Sequence, residues 1–263
     1  MDKGPLLSTG RTAEVYAWGS DHVLKLYRAN MPAEMVHEEA RIGHIVAIAG
    51  LHAPAVGETV EVDGRLGILY ERIAGPSMLD VLTRRPWQWR GLARQLAEVH
   101  AAMHNTARPE LPSQRHGFAW AIAHAPRLDE AARQRVLAAL ERMPGGESVC
   151  HGDYHPANVI LSPRGPVVID WMTSCHGNPV ADVARTVLLL RFAVLPRDMG
   201  LARRAMIQLI RRPFLSAYLR AYGALRPLLV NEVEGWLPIL AAARMNEGID
   251  AEEALLQRLV STV

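Results

Sequence analysis

Between His151 and Asp170 the chain gathers residue types that handle hard cations and hydroxyl protons. His151-Gly152-Asp153-Tyr154-His155-Pro156-Ala157-Asn158 leads into a short apolar run, and Ile169-Asp170-Trp171 ends a second one. The two runs, 158–161 and 166–169, flank the turn Ser162-Pro163-Arg164-Gly165 and read as a β-hairpin set among helices. Two acids and one amide oxygen therefore arrive at the same end of a single hairpin. Mg²⁺ takes oxygen ligands, few from protein and the remainder from phosphates and water, and Asn158 and Asp170 can supply them. Asp153, on a loop five residues before Asn158, can accept or orient the proton of an attacking hydroxyl.

A second chemical signal is compositional. The 29 basic residues comprise 27 arginines and two lysines, Lys3 and Lys25. Two readings stand side by side: chance, with one lysine near the terminus, or a crowded phosphate site that takes a compact ammonium better than a planar fork.

The elements that must position these groups follow from local patterns. Short β-type runs hold Val15 and Ala17, then Val23, Leu24 and Leu26, with breaks at Gly10 and at Gly19-Ser20-Asp21. Met35, Ile42, Ile45, Val46 and Ala49 recur at helical spacing between Pro32 and Gly50. Strands are expected over 59–62 and 66–73, joined by Asp63-Gly64, a tight-hairpin signal. Gly75-Pro76 then breaks the pattern. Beyond Met78 the spacing is mainly helical, with long helices over 89–104 and 129–143 and about four more after Asp182. The expected division is a small β-rich domain over 1–73 and a larger helical domain over 74–263.

Bulk numbers exclude several classes. At 263 residues, 49% hydrophobic and 21% charged, the chain reads as an ordinary globular protein. A net charge of +2 is too near balance to point by itself to a nucleic-acid partner, and none is expected. Cys150 and Cys175 cannot build a disulfide framework and fit a reducing cytoplasm. No signal peptide is visible at the N-terminus, and the apolar stretch from Val187 to Leu195 contains Arg191 and is too short to cross a bilayer, so no membrane partner is expected.

The spacing of Asp153 and Asn158 is D-x-x-x-x-N, a kinase catalytic-loop pattern. With H-G-D-Y-H-P-A-N-V-I (151–160), V-I-D-W (168–171) and G-N-P-V-A-D-V-A (177–184) in order, the chain resembles the aminoglycoside phosphotransferase and choline kinase-like family. The resemblance implies an α+β, protein-kinase-like bilobal fold with a small β-rich N-lobe and a larger helical C-lobe. It also implies an ATP-dependent O-phosphotransferase, with GTP as the alternative nucleotide and Mg²⁺ as cofactor. Lys25 matches the family's ATP-phosphate lysine, and Glu39 its helix partner. Glu38 points about 100° away on the same helix and stays the alternative. Asn158 and Asp170 match the Mg²⁺ ligands, Asp153 the catalytic base and Asp182 the aspartate that braces the catalytic loop. The segment from Ser8 to Thr12 resembles the nucleotide-covering loop with a single glycine. Around 69–73 the chain resembles the hinge, so the Glu71 carbonyl and the Ile73 amide are expected to face adenine.

Other titratable groups read more plainly. His151 and His155 are expected to order the loop, and Cys150 to be a small buried residue. His100 and His104, at i and i+4, have a spacing able to bind zinc, but no third ligand stands near them in sequence, so packing and hydrogen bonding explain them.

Only about a dozen residues separate Asp170 from Asp182, with neither D-F-G nor A-P-E, which favours a small-molecule hydroxyl acceptor over a peptide. Residues 191–231 carry eight arginines against Asp198, whereas 232–253 carry six acids against Arg244. Most of these acids are expected on the charged outer faces of amphipathic helices, while Glu247, with Trp236 and Arg244 nearby, is the candidate acceptor wall, for which an antibiotic polyamine is the expected class. The alternatives are a metabolite kinase for an amino alcohol or sugar, a nucleotide-binding pseudokinase, and a protein-serine kinase. Monomer and homodimer both remain open.

Overall fold

The structure is a computed structural model that describes residues 3–194 and 199–263; Leu195 and Asp198 of the sequence reading lie outside them. The chain opens with β1 (Leu6–Thr9), β2 (Ala13–Trp18) and β3 (His22–Tyr27), followed by α1 (Ala33–Ile48). β4 (Val56–Val62) and β5 (Arg65–Glu71) complete an antiparallel sheet of order β1-β2-β3-β5-β4. Asp63 at φ 53° and Gly64 at φ 69° both take the left-handed conformation that a two-residue hairpin turn between twisted strands requires. β5 ends at Glu71, so Ile73 lies just past the strand rather than in it.

β3 is the central strand. Its alternation sends Leu24 and Leu26, both fully buried, to one face, and Lys25 and Tyr27 to the other. Tyr27 forms a core with Ala13 and Ile68 of the sheet and with Val36 and Ala40 of α1. On α1 the buried residues Val36, Glu39, Ala40 and Gly43 recur at i, i+3, i+4 and i+7, which places Glu39 inside the apolar stripe. Val56 lies so close to Gly43 that an added Cβ would sit 2.7 Å from its Cγ2, and glycine is what lets α1 approach.

Four helices follow: α2 (Met78–Arg84), α3 (Trp89–Met103), α4 (Gln114–Ala123) and α5 (Glu130–Arg142). The Asp129 side chain accepts from the Ala132 amide at 2.8 Å and so caps α5. Then come β6 (Ser148–Cys150), β7 (Val159–Ser162), β8 (Gly165–Val168) and β9 (Cys175–Gly177). β7 and β8 form the expected hairpin, while β6 pairs antiparallel with β9 and sets Cys150 opposite Cys175. β6 and β9 leave no mark in the sequence pattern, because three residues are too few to show a period of two. The chain ends with α6 (Pro179–Phe192), α7 (Leu201–Leu225), α8 (Val230–Met245) and α9 (Glu253–Val260).

Two compact units result. The first is Met1–Ser77 with Asn158–Met172, and the second is Met78–Ala157 with Thr173–Val263. The β7–β8 hairpin thus groups with the sheet unit, whereas the sequence division places it in the helical part. Backbone hydrogen bonds account for this: the Leu161 amide donates to the Pro76 carbonyl at 2.9 Å, and the Val168 amide to the His52 carbonyl at 2.6 Å. In the second unit α3 packs along α7 and α6 along α8. Among the described residues no helix is long and apolar enough to cross a membrane.

Candidate active site

In the first unit Lys25 projects from the middle of β3, opposite Val15 on β2 and Ile68 on β5. Its Nζ lies 2.7 Å from Glu39 Oε1 and 2.8 Å from Asp170 Oδ1. Burial works against the ammonium, but the charges of Glu39 and Asp170 outweigh it, and the lysine pKa is raised. Glu39 is 2% exposed and also accepts from the Tyr70 hydroxyl at 3.0 Å. Glu38 instead forms an exposed pair with Arg41 at 2.6 Å. Glu39 is therefore the partner of Lys25, and the buried stripe of α1 is the reason.

Asp170 follows β8 with φ at 64°, a conformation that aspartate tolerates better than most residues, and its side chain is 46% exposed. Asn158 is buried, and its carbonyl accepts from the Ile169 amide at 2.9 Å, which closes the base of the hairpin. One hairpin end thus carries a carboxylate and an amide, the oxygen donors that a hard divalent cation takes. The Glu71 carboxylate pairs with Arg164 at 2.6 Å and accepts from the Ala55 amide at 3.2 Å. Arg28, which no sequence motif singles out, donates to the Arg11 and Gly10 carbonyls at 2.8 and 2.9 Å and holds the turn between β1 and β2.

In the second unit Asp153 stands on the loop after β6. His155 Nε2 lies 3.5 Å from its Oδ2, and Arg185 Nη2 3.9 Å from its Oδ1. Burial alone would raise this carboxyl, but the hydrogen bond from His155 and the charge of the Arg185 guanidinium outweigh it and hold it well below the usual carboxylate range. His151 Nδ1 accepts from the Asp153 amide and His155 Nδ1 from the Ala157 amide, each at 3.2 Å. Both imidazoles therefore order the loop backbone.

Asp182, on α6 and 1% exposed, braces the same loop. Its Oδ2 accepts from the His151 amide at 2.7 Å and its Oδ1 from the Gly152 amide at 2.9 Å. Oδ2 also receives His100 Nε2 at 3.0 Å and His104 Nε2 at 3.2 Å. Hydrogen bonds from the two imidazoles outweigh burial and hold Asp182 ionised, well below its ordinary pKa. Burial, reinforced by His104, pushes His100 down to about 4 despite Asp182, and burial likewise lowers His104. The third potential ligand that the sequence reading found missing beside these histidines is Asp182, within a cluster whose ligand atoms lie within 4.8 Å. Each Nε2 faces a carboxylate that can only accept, and each Nδ1 meets the hydroxyl of Tyr218 or Tyr222, at 2.6 and 2.7 Å. Neither neutral ring is left with a lone pair for a cation, so the cluster works as a hydrogen-bonded brace.

Glu247, just past α8, is bound to two arginines: Arg185 Nη2 at 2.5 Å and Arg244 Nη1 at 3.1 Å. Arg185 and the tyrosines on α7 went unnoticed in the sequence, because neither a motif nor a spacing links them to the loop they serve.

The family model described as the phosphotransferase enzyme family matches residues 4–229. A homoserine kinase of Methylobacillus flagellatus is 28% identical over 196 residues, which cover 70% of this chain and 56% of that kinase, so the match spans little over half of the relative's length. Among solved structures, aminoglycoside-3'-phosphotransferase of type VIII is similar with a TM-score of 0.61 and 22% identity, over 92% of this chain and 90% of that one. A thermostable mutant of aminoglycoside phosphotransferase APH(4)-Ia, in ternary complex with AMP-PNP and hygromycin B, aligns with a TM-score of 0.65 and 16% identity over 98% and 91% of the two chains. The macrolide 2'-phosphotransferase of Brachybacterium faecium gives 0.54 and 18% over 98% and 92%. These likenesses establish the fold.

Proposed function

Since the chain belongs to the phosphotransferase enzyme family, we propose that it moves the γ-phosphate of ATP to a hydroxyl group of a small molecule. The observation that carries this reading is Lys25, one of two lysines in the chain, held between Glu39 and Asp170. In this reading Lys25 binds the α- and β-phosphates and Glu39 fixes its orientation. The Glu71 carbonyl and the Ile73 amide read adenine, and GTP is the alternative nucleotide. Asn158 and Asp170 hold Mg²⁺, and the half-exposed carboxylate beside an amide at one hairpin end suits it. When bound, that ion supplies charge neutralisation at the phosphate oxygens.

Asp153 orients the acceptor hydroxyl and takes its proton as the new O–P bond forms and the bond to ADP breaks. An acid held so far below neutrality is a weak base. That suits a loose transition state, in which the nucleophile needs alignment more than early deprotonation. Catalysis then rests on positioning and electrostatics. The test is Asp153→Asn, with nucleotide affinity and ADP release measured side by side. Binding should persist while turnover falls by about 10³-fold or more. Unchanged transfer to every accepted substrate would remove Asp153 from the mechanism, and binding without transfer in the unmodified protein would revive the pseudokinase alternative.

For the acceptor, a polycationic antibiotic needs carboxylates left over to replace its water shell. Glu247 is committed to Arg185 and Arg244. That favours a metabolite acceptor, a hydroxyl compound of the kind that the homoserine kinase relative's name describes, over an aminoglycoside. A panel of amino alcohols, hydroxy amino acids, sugars and aminoglycosides, read by ADP release, decides between them, and a resistance profile of an expressing host tests the antibiotic reading directly. Cytoplasmic ATP is the natural donor for either.

A further inference from the structure

Asp153 sits at the end of a chain of alternating charges drawn from four separate segments of the second unit. Arg185, on the second turn of α6 and 12% exposed, donates through Nε to the Gly152 carbonyl at 3.1 Å. Its Nη2 lies 3.9 Å from Asp153 Oδ1 and 2.5 Å from Glu247 Oε1. Glu247 is gripped from its other side by Arg244 Nη1, at 3.2 and 3.1 Å to the two carboxylate oxygens. Arg244, 6% exposed, closes a two-pronged pair with Glu252, 3% exposed, with Nε to Oε2 at 2.5 Å and Nη2 to Oε1 at 3.0 Å. Glu252 Oε1 also accepts the Val194 amide at 3.0 Å, just past the end of α6, so the chain of charges returns to the helix that bears Arg185.

Three features make this more than a surface ion network. Its far end is dry, so leaving either Arg244 or Glu252 without its partner would strand a charge. The forked guanidinium lets one residue address a backbone carbonyl and a carboxylate with fixed geometry, which an ammonium cannot do. At its near end the network touches the backbone and the side chain of the acid assigned to the acceptor hydroxyl. Asp182 holds the same turn from its amides, at His151 and Gly152, whereas Arg185 holds it from a carbonyl.

We propose that Arg185 is the positioning residue of Asp153, and that Glu247, clamped by Arg244 and Glu252, holds Arg185 in place for it. This rests on the reading of Asp153 given above. Arg185 carries out no chemistry of its own. It fixes where the Asp153 carboxylate points, and an error of about 1 Å there costs on the order of 10²-fold in rate.

The experiment uses the full chain, with ADP release followed in water alone and with L-homoserine or hygromycin B added. Arg185→Met should lower kcat by about 10²-fold and leave KM for ATP within about twofold. Glu247→Gln should lower kcat by about tenfold, because Arg185 stays but loses its anchor. The double variant should be no slower than Arg185→Met alone, since Glu247 acts only through Arg185. In Arg185→Gly, added guanidinium should recover part of kcat, a rescue that a purely structural role would not show. Turnover within about twofold of the unmodified protein in Arg185→Met, or additive losses in the double variant, would overturn the proposal. If Arg185→Met does not fold, Glu247→Gln decides by the same split between kcat and KM. Asp153→Asn run in parallel separates the two levels. Full activity there removes the underlying reading, whereas a dead Asp153→Asn beside a fully active Arg185→Met removes only this one.

Discussion

Replacing Asp182 by asparagine tests the brace beneath the catalytic loop. The carboxylate accepts three donors on Oδ2 (the His151 amide at 2.7 Å, His100 at 3.0 Å and His104 at 3.2 Å) and the Gly152 amide on Oδ1 at 2.9 Å. Asparagine keeps one acceptor oxygen and brings an NH₂ group. With its oxygen in the place of Oδ2, the amide nitrogen faces the Gly152 N–H, donor against donor, and one backbone group loses its partner at a cost of about 1–3 kcal/mol. The three remaining bonds lose their charge assistance, roughly 0.5–1 kcal/mol each. The expected loss is about 3–5 kcal/mol, a large part of a typical folding free energy of about 5–15 kcal/mol. Urea unfolding at pH 7.5 measures it, and the corresponding fall in Tm is on the order of 10 °C. The loop that Asp182 holds also carries Asp153, so turnover should fall in molecules that remain folded. A destabilisation below about 1 kcal/mol would mean that the four donors find other partners and that the brace is not what holds the loop.

Lys25→Met and Lys25→Arg should both lower kcat/KM for ATP by at least about 10²-fold, because the planar fork does not fit between Glu39 and Asp170; full activity in Lys25→Arg would sink the argument from crowding. Glu39→Gln should raise KM for ATP by about tenfold, while Glu38→Gln, whose exposed partner is Arg41, should stay within about twofold; equal effects would place the wrong glutamate beside the lysine. Acid should destabilise the fold before the carboxylates titrate. His100 has its pKa lowered from 6.5 to about 4 by burial, so the unfolded chain binds that proton first as pH falls, and about 3 kcal/mol of stability is lost between pH 6.5 and 4. His104 adds to the loss in the same direction, and Asp182 adds its own as pH falls below about 4. Urea titrations at pH 7.5, 5.5 and 4.5 should show this slope, and His100→Gln should flatten it; a flat profile in the unmodified protein would show that His100 is not buried neutral.

What could be read without a structure is what neighbouring residues encode. Asp63-Gly64 specifies its turn through the conformations those two residues tolerate, and Asp129 caps a helix through an amide three residues on. Asn158 and Asp170 arrive together because a four-residue strand, a tight turn and a second four-residue strand leave them no choice. Even Glu39 could be preferred over Glu38, since helical spacing puts it on a face with Ile42, Gly43 and Val46. Strands β6 and β9 escaped because pairing, not pattern, defines segments so short. The same limit governs the electrostatics. Asp182 takes its imidazole partners from 82 and 78 residues upstream, and Arg185 meets Glu247 across 62 residues. Charge, unlike apolar periodicity, carries no mark in the sequence of which opposite charge it will meet. Glu247 read as an acceptor wall until α6 packed against α8 and added Arg185 to the Arg244 three residues before it. Local stereochemistry set the elements and the order of the reactive residues along them. Only the packing of helices far apart in sequence decided which charges are spent on holding the loop, because each buried charge must find its partner within a few ångströms.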